Sequence, residues 1–208
     1  MTLWAIVPVK PLVRSKSRLS AVLTNKQREA LSSFLLKRTI STLQNVSAVS
    51  NVLVVSRDPA ALSIARTEGA KTLQETGLPE LNDSLARATS VVTAWRASSI
   101  LILPIDIPFS TAEDIQDLVD IGKRHSSVVI ITPDRRSNGT NALLIKPPGA
   151  IPFRYGEKSY HKHLAEAESR GLKTVIYESE NLSFDIDTPE DLEHLKALKR
   201  ESRIKALV

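Results

Sequence analysis

The chain has 208 residues, of which 42% are hydrophobic and 25% charged, and its formal net charge is +5. This length suits one domain with a sizeable apolar core, and the ordinary composition argues against wholesale disorder. The absence of cysteine excludes disulfide frameworks and thiolate metal sites.

Membranes and nucleic acids are not the expected partners. The N-terminus lacks a basic segment followed by a long apolar one, and no apolar run approaches transmembrane length, so we expect a cytoplasmic protein. Aromatic residues make up only 4% of the chain, and none lies among the basic residues of segment 10–18. Aromatic residues between the cations would favour nucleic-acid binding, so their absence makes it a minor alternative.

Short apolar runs alternate with segments of helical period along the chain. The runs that predict buried strands are residues 3–9, 52–56, 70–73, 99–105, 128–132, 141–145 and 173–177. The segments that predict helices begin at capping boxes 24–27 and 110–113, cover residues 59–67, 82–97 and 159–169, and start again at Thr188-Pro189. This alternation predicts one α/β domain with a mostly parallel sheet and helices on both faces. We place the domain at residues 1–199, followed by a C-terminal tail at 200–208 that we expect to be mobile.

The first candidate segment is the loop after the first predicted strand, residues 10–18. It carries four cations and two serine hydroxyls, at the edge of the sheet where parallel α/β folds bind ligands. Arginine suits bidentate phosphate contacts, and lysine supplies a compact positive charge. A solvated basic loop is the alternative, and both interpretations stay open at this point. The loop has no glycine, which excludes a Walker A motif and a dinucleotide fingerprint.

Three aspartates are candidates for binding a metal ion. Asp106 ends the most apolar predicted strand, where an unpaired carboxylate would be costly. Asp185 and Asp187 are two residues apart in an extended run, so their side chains project together while Phe184 and Ile186 face the core. Their mutual repulsion favours a cation between them, and hard oxygen ligands suit Mg²⁺. For Asp187 alone, support of the following helix N-terminus is an adequate alternative.

Two further segments offer groups for an anionic ligand. Residues 138–141 have the sequence NGTN before a strand, which is also typical of a simple turn. Gly156 precedes a predicted helix start whose N–H groups could hold an anion, and Ser159 as an ordinary N-cap is a compatible alternative. His161 and His163 lie on the polar start of that helix and are expected to be solvated, so we predict no histidine metal site.

Taken in this order, the segments resemble the 2-phospho-L-lactate/phosphoenolpyruvate guanylyltransferase family over nearly the whole chain. The matching sequences are PVKPL with SKSRLS, LPIDIP, GTNALL, FRYGEKSYHKH and FDIDTPEDL. LPIDIP and DTPEDL are shared loosely with many nucleotidyltransferases, whereas GTNALL followed by F-x-x-G-x-x-S-x-x-x-H is the specific part. The resemblance implies a nucleotidyltransferase fold related to the GT-A glycosyltransferases. It also implies transfer of GMP from GTP to a three-carbon phosphate ester in deazaflavin coenzyme biosynthesis.

The resemblance implies roles for individual residues as well. Asp106 and Asp187 would be catalytic and hold Mg²⁺, with Asp185 beside them. The residues implied to contact GTP are Lys10, Lys16 and Arg18 at the phosphates, with Lys16 also catalytic, and Asn82 near the nucleoside. Those implied to receive the phosphate of the acceptor are Thr140, Gly156 and Ser159. The sequence LPELNDSLARA around Asn82 departs from the glycine- and alanine-rich form of the family, so a helix-capping role for Asn82 stays open.

The acceptor is left open by the resemblance. Phosphoenolpyruvate, 2-phospho-L-lactate and 3-phosphoglycerate all fit, and we prefer phosphoenolpyruvate because bacterial members of the family often carry that assignment. A homodimer and direct hand-over of the product to the next enzyme of the pathway are compatible with it. The enzyme alternatives are a molybdenum-cofactor guanylyltransferase or a sugar-nucleotide pyrophosphorylase, whose glycine-rich first loop this chain lacks. A non-catalytic nucleotide-binding module would not need the three aspartates.

Overall fold

Seven strands form one sheet at the centre of the molecule. The computed structural model describes residues 2–77 and 80–198. The strands are β1 Leu3–Pro8, β2 Val49–Ser56, β3 Lys71–Gln74, β4 Ser99–Ile102, β5 Val128–Pro133, β6 Thr140–Lys146 and β7 Thr174–Ile176. Their order across the sheet is β3-β2-β1-β4-β6-β5-β7, and β6 runs antiparallel to both of its neighbours while the other pairs are parallel. The predicted α/β domain with a mostly parallel sheet is confirmed.

Helices cover both faces of this sheet, as the sequence predicts. They are α1 Asn25–Gln44, α2 Pro59–Thr67, α3 Leu81–Ala94, α4 Ala112–Lys123, α5 Ser159–Ser169, α6 Glu180–Ser183 and α7 Pro189–Leu198. Alternation along β1 explains the two layers of the core, because Ala5 and Val7 pack on the side of α1, α2 and α4 while Trp4 and Ile6 pack on the side of α3 and α5. The capping box that begins α1 is present, with Thr24 and Gln27 exchanging hydrogen bonds.

Several predicted boundaries are wrong. The N-cap of α4 is Thr111, which exchanges hydrogen bonds with Asp114, whereas the hydroxyl of Ser110 is buried and donates to the carbonyl of Ile107. Strand β4 ends at Ile102 instead of residue 105, since the chain turns at the prolines that follow. The short helix α6 has too few residues to show a helical period, and we did not predict it.

Two further expectations concern the C-terminal tail and membrane-spanning helices. The predicted tail, residues 200–208, lies outside the described residues, so the domain limits stay a prediction. Within residues 2–77 and 80–198, no helix is both long enough and apolar enough to cross a bilayer.

One edge of the sheet collects the predicted site residues. The carboxyl ends of β1 and β4 lie at this edge, and ligands of open α/β sheets bind there. Because β6 is antiparallel to β4, the start of β6 at Thr140 lies at the same edge. The antiparallel strand therefore brings the GTNALL sequence toward the LPIDIP and FDIDTPEDL segments.

Candidate active site

Lys16 lies deeper in the molecule than Lys10 and Arg18 of the same basic segment. It lies between two 3₁₀ helices, Leu12–Arg14 and Ser17–Ala21, in the left-handed conformation with φ 55°. The guanidinium of Arg28 on α1 donates to the carbonyl of Ser15 at 3.1 Å and fixes the turn from outside. The Lys16 side chain is only 5% exposed, so a freely solvated loop is the wrong description of this residue. A left-handed non-glycine residue costs roughly 1–2 kcal/mol, and such strain concentrates at functional sites.

The segment after α6 runs beside the end of β4. The N–H of Ile186 donates to the carbonyl of Asp106 at 3.0 Å and sets the register between the two. Phe184 and Ile186 are buried, while Asp185 and Asp187 are partly exposed. The predicted alternation of this segment is therefore confirmed, and its two carboxylates face the same edge as Asp106.

The start of α7 is capped without the carboxylate of Asp187. Asp191 accepts hydrogen bonds from the N–H groups of Asp187 at 2.9 Å and Thr188 at 2.8 Å. The hydroxyl of Thr188 accepts in return from the N–H of Asp191, which completes a capping box with Pro189 in the first helical position. Support of the helix thus falls to Asp191, and the carboxylate of Asp187 is directed to Lys16 instead.

A lysine ammonium lies between the two carboxylates. Lys16 Nζ is 2.9 Å from Asp106 Oδ2 and 3.2 Å from Asp187 Oδ1. Burial alone would lower the pKa of Lys16, but the charges of Asp106 and Asp187 outweigh it and hold that pKa above the ordinary lysine value. Burial, reinforced by the same two negative charges, raises the pKa of Asp185 to about 6. We call Lys16, Asp106, Asp185 and Asp187 the charged cluster.

The charged cluster fits Mg²⁺ as a two-carboxylate site. Among the described residues, no three histidine, aspartate or glutamate side chains are grouped closely enough to hold one metal ion. Magnesium keeps several waters and commonly takes only one or two protein carboxylates. Asp106 and Asp187 supply such a pair, since their oxygens already converge on a single cation. Asp106, Asp187 and Asp185 as magnesium ligands all stay predictions.

A polar cavity of about 160 Å³ opens beside the charged cluster. Its lining includes the carboxylates Asp185 and Asp187 and the cations Arg18 and Arg136. Arg18 is 74% exposed on its side chain and lies 3.7 Å from Asp187, so it can move to a ligand at little cost. Lys10 is exposed at the same edge of the sheet, in the loop after β1. A cavity lined by both cations and carboxylates suits an anionic ligand that arrives with a divalent cation.

A second group of side chains ties the start of β6 to the chain before α5. His163 is fully buried, with Nδ1 3.0 Å from the hydroxyl of Thr140 and Nε2 accepting from the N–H of Arg154 at 2.9 Å. The ring of Tyr155 packs edge-on against His163 at 5.0 Å. Asn82 on α3 accepts from the N–H of Tyr155 at 2.8 Å and donates to its carbonyl at 3.1 Å. We call Asn82, Thr140, Tyr155 and His163 the His163 cluster.

This arrangement corrects our expectation for one histidine. His161 is exposed as predicted, but His163 is buried and was expected to be solvated. Residues two apart on a helix face different sides, so His161 points to solvent while His163 points to the sheet. Its place at the end of the sequence F-x-x-G-x-x-S-x-x-x-H was the signal that could have identified it.

The structure brings Gly156 and Ser159 together at the start of α5. Gly156 has φ 124°, a backbone conformation in which other residues would be strained. The N-cap of α5 is Lys158, without a side-chain cap, so the alternative of Ser159 as N-cap is wrong. Ser159 is buried as the first helical residue, and its N–H donates to the carbonyl of Gly156 at 3.2 Å. Asn82 does not cap α3 either, because its amide holds Tyr155 and Glu80 is the N-cap.

Residues 3–202 match the family described as guanylyl transferase CofC like. The chain belongs to this family. A phosphoenolpyruvate guanylyltransferase of Rubrobacter xylanophilus is 40% identical over 197 residues, covering 95% of both chains. A 2-phospho-L-lactate guanylyltransferase of Methanocaldococcus vulcanius is 38% identical over 188 residues, covering 90% of this chain and 81% of the relative. The resemblance drawn from the motifs is confirmed.

The chain shares its fold with solved structures of other proteins. A protein of Desulfovibrio desulfuricans G20 assigned as a nucleotide-diphospho-sugar transferase has a TM-score of 0.81 and 18% sequence identity. The comparison covers 100% of this chain and 94% of that one. At this identity the likeness shows the fold alone, and it confirms the nucleotidyltransferase architecture.

Proposed function

We propose that the chain is a Mg²⁺-dependent guanylyltransferase that transfers GMP from GTP to the phosphate of a three-carbon phosphate ester. The observation that carries this proposal is the convergence of Lys16, Asp106 and Asp187 at the ligand-binding edge of the sheet. Membership of the CofC-like family and the names of its relatives support guanylyl transfer as the reaction.

The reaction needs alignment more than acid–base chemistry. The phosphate oxygen of the acceptor is already anionic near neutral pH, so it can attack the α-phosphorus of GTP without a general base. A new P–O bond forms, the bond from the α-phosphorus to the oxygen bridging to the β-phosphate breaks, and pyrophosphate leaves with the electron pair. Two anions must be held close together, and both charge neutralisation and orientation contribute to the rate.

The residues divide this work between them. Asp106 and Asp187 would hold Mg²⁺, which when bound neutralises negative charge on the phosphates. Lys16 keeps a buried positive charge at the same point, and Lys10 and Arg18 at the rim bind the triphosphate electrostatically. We assign the nucleoside contact to Asn82. The residues that receive the acceptor phosphate are Thr140, Gly156 and Ser159.

Phosphoenolpyruvate is the proposed acceptor. The Rubrobacter relative that bears this substrate in its name shares 95% coverage in both directions, while the 2-phospho-L-lactate relative extends further beyond this chain. We take 2-phospho-L-lactate and 3-phosphoglycerate as the acceptors to compare. A step in deazaflavin coenzyme biosynthesis, a homodimer and hand-over of the product to the next enzyme belong to the same proposal.

Pyrophosphate release from the purified protein tests the proposal. The assay contains Mg²⁺ and GTP, with each of the three acceptors added separately, and it is repeated with EDTA and with ATP in place of GTP. We expect pyrophosphate to be released when phosphoenolpyruvate is the acceptor. EDTA should abolish this release, and ATP in place of GTP should not support it. Release with none of the three acceptors would refute the reaction, and equal rates with ATP would refute the choice of nucleotide.

A further inference from the structure

We propose that His163 is a positioning residue that orients the Thr140 hydroxyl as a hydrogen-bond donor toward the phosphate of the acceptor. The inference rests on the proposed function, in which Thr140 receives that phosphate. It concerns a buried histidine that lies behind the proposed contact and would not touch the substrate itself.

The hydrogen bonds of His163 define which ring nitrogen carries the proton. A backbone N–H can only donate, so the N–H of Arg154, 2.9 Å from Nε2, requires that Nε2 accept. A neutral imidazole carries one proton, which must then reside on Nδ1. Nδ1 therefore donates to Thr140 Oγ1, 3.0 Å away.

The ring is neutral in this environment. Burial lowers the pKa of His163 to about 4, with Arg154 acting in the same direction and Glu166 opposing it. Glu166 itself is engaged by the guanidinium groups of Arg154 and Arg170 at 2.7 and 2.5 Å. Its carboxylate is thus compensated by two cations and does not draw a second proton onto His163.

The direction of this hydrogen bond determines what Thr140 presents to a ligand. A hydroxyl that accepts from Nδ1 keeps its own proton for another partner, and within residues 2–77 and 80–198 His163 is the one side-chain partner of Thr140. With the proton on Nε2 instead, the Thr140 hydroxyl would have to donate its proton to Nδ1. Its oxygen lone pairs would then face the anionic phosphate. Only the Nδ1–H form of His163 leaves the Thr140 hydroxyl free to donate to the phosphate. Because the same hydroxyl accepts a hydrogen bond from Nδ1, the bond that it donates becomes stronger.

The position of His163 is fixed from two further sides. Tyr155 packs edge-on against the ring, and Asn82 holds both the N–H and the carbonyl of Tyr155. The segment that supplies the N–H of Arg154 therefore cannot turn away without breaking these bonds. Since Gly156 follows directly, the same contacts position both proposed phosphate-binding elements.

A double-mutant cycle tests the coupling. The variants are His163→Phe, which keeps a ring but removes both nitrogens, Thr140→Val, and the two combined. We expect His163→Phe to raise the KM for phosphoenolpyruvate at least about tenfold, as for loss of a hydrogen bond to a charged group, with the KM for GTP within about twofold. Thr140→Val should do the same, and the double variant should be no worse than either. Effects that multiply, or an equal rise of both KM values, would overturn the inference.

A conservative variant separates positioning from folding. The amide nitrogen of His163→Asn lies near the place of Nδ1 and can still donate to Thr140, so we expect it to recover most of the affinity for phosphoenolpyruvate. His161→Phe, on the exposed side of the same helix, is the matched control and should leave both KM values unchanged. An Asn variant as impaired as His163→Phe, with the same melting temperature as the wild type, would contradict the role.

The tautomer itself provides a readout that does not depend on activity. Long-range ¹H–¹⁵N spectra of the wild-type protein should show the His163 proton on Nδ1, and a proton on Nε2 would overturn the inference. Should the wild type release no pyrophosphate with any acceptor, the proposed function fails first. Calorimetric binding of phosphoenolpyruvate to the same variants, together with the spectra, then decides the inference, which is overturned if His163→Phe binds as well as the wild type.

Discussion

Two regions of the candidate site lie at the same edge of the sheet and are held by different kinds of contact. In the charged cluster, one ammonium contacts two carboxylates whose side chains are 30% and 45% exposed. In the His163 cluster, neutral groups share directional hydrogen bonds around a histidine that solvent does not reach. The partners of Lys16 can be exchanged for other ions, whereas both ring nitrogens of His163 are already hydrogen-bonded within the protein.

The difference suits the two proposed substrates, GTP and phosphoenolpyruvate. A nucleotide that arrives with a divalent cation has to replace existing ionic contacts, and the two carboxylates can change partners because their own side chains are partly exposed to solvent. A small phosphorylated acid has few groups to recognise, so its site must be organised beforehand. Substitutions in the charged cluster should therefore affect turnover more than stability, whereas substitutions in the His163 cluster should affect both stability and the KM for phosphoenolpyruvate.

The largest expected effect is the loss of turnover in Asp106→Asn. Its carboxylate contacts Lys16 and is the proposed magnesium ligand, so we expect kcat to fall by a factor on the order of 10³ or more. The free energy of unfolding should fall by about 1–3 kcal/mol, because the nearly buried Lys16 loses its closer carboxylate but keeps Asp187 as a partner. Initial rates of pyrophosphate release and urea unfolding measure the two quantities. Asp120→Asn, on the surface of α4, is the control, and appreciable activity in Asp106→Asn would argue against a catalytic role.

The charged cluster could be anticipated from the sequence far better than the His163 cluster. Asp106 follows the most apolar run, where an unpaired carboxylate is costly, and Asp187 shares one face of an extended run with Asp185. His163 lies in a polar stretch, and its burial depends on where the antiparallel β6 places Thr140. That strand direction cannot be read from an apolar run, because parallel and antiparallel neighbours can share one composition.

The same difference between features with a local sequence signal and features without one applies to the fold. Long apolar runs and capping residues identified the seven strands and the larger helices, whereas the 3₁₀ helices around Lys16 were not predicted. Those turns are fixed by distant contacts such as that of Arg28 with the Ser15 carbonyl, which no local pattern contains. The burial of Lys16 is a consequence of these contacts, and the basic composition of the segment alone indicated only a choice between a solvated loop and a phosphate site.

The second effect in size is a pH dependence of stability that belongs to His163. In the folded protein burial lowers the pKa of His163 to about 4, below its ordinary value of 6.5. The unfolded chain therefore takes up this proton first, and stability is complete above about pH 6.5 and is lost as the pH falls toward 4. Between about pH 7.5 and 5 the wild type should lose roughly 2 kcal/mol more than His163→Phe. Urea unfolding at both pH values measures the difference.

His161→Phe is the control for this titration. The exposed histidine should leave the pH dependence of unfolding as in the wild type. Equal losses in the wild type and in His163→Phe would show that His163 titrates normally and is not held neutral by burial.

A smaller effect is expected when Asn82 is replaced by alanine. The change removes both hydrogen bonds to the backbone of Tyr155, and the unfolding free energy should fall by about 1–2 kcal/mol. Because Tyr155 precedes Gly156, the KM for phosphoenolpyruvate should rise, and the proposed nucleoside contact predicts a rise in the KM for GTP as well. Asp83→Ala on the same helix turn is the control. An unchanged KM for GTP would remove Asn82 from the nucleotide site and leave it a role in holding Tyr155.

The smallest effect on stability belongs to Arg18→Gln. Its guanidinium is mostly exposed and 3.7 Å from Asp187, so the free energy of unfolding measured in urea should change by no more than about 0.5 kcal/mol. The KM for GTP should nevertheless rise several-fold at low salt, and this rise should shrink as ionic strength increases, because an exposed charge is screened beyond a Debye length of about 10 Å at 0.1 M salt. Lys173→Gln, in the exposed loop before β7, should not change the KM for GTP. A salt-independent rise would mean that Arg18 is buried against the triphosphate when GTP binds, which would give the charged cluster the pre-formed character that we assign to the His163 cluster.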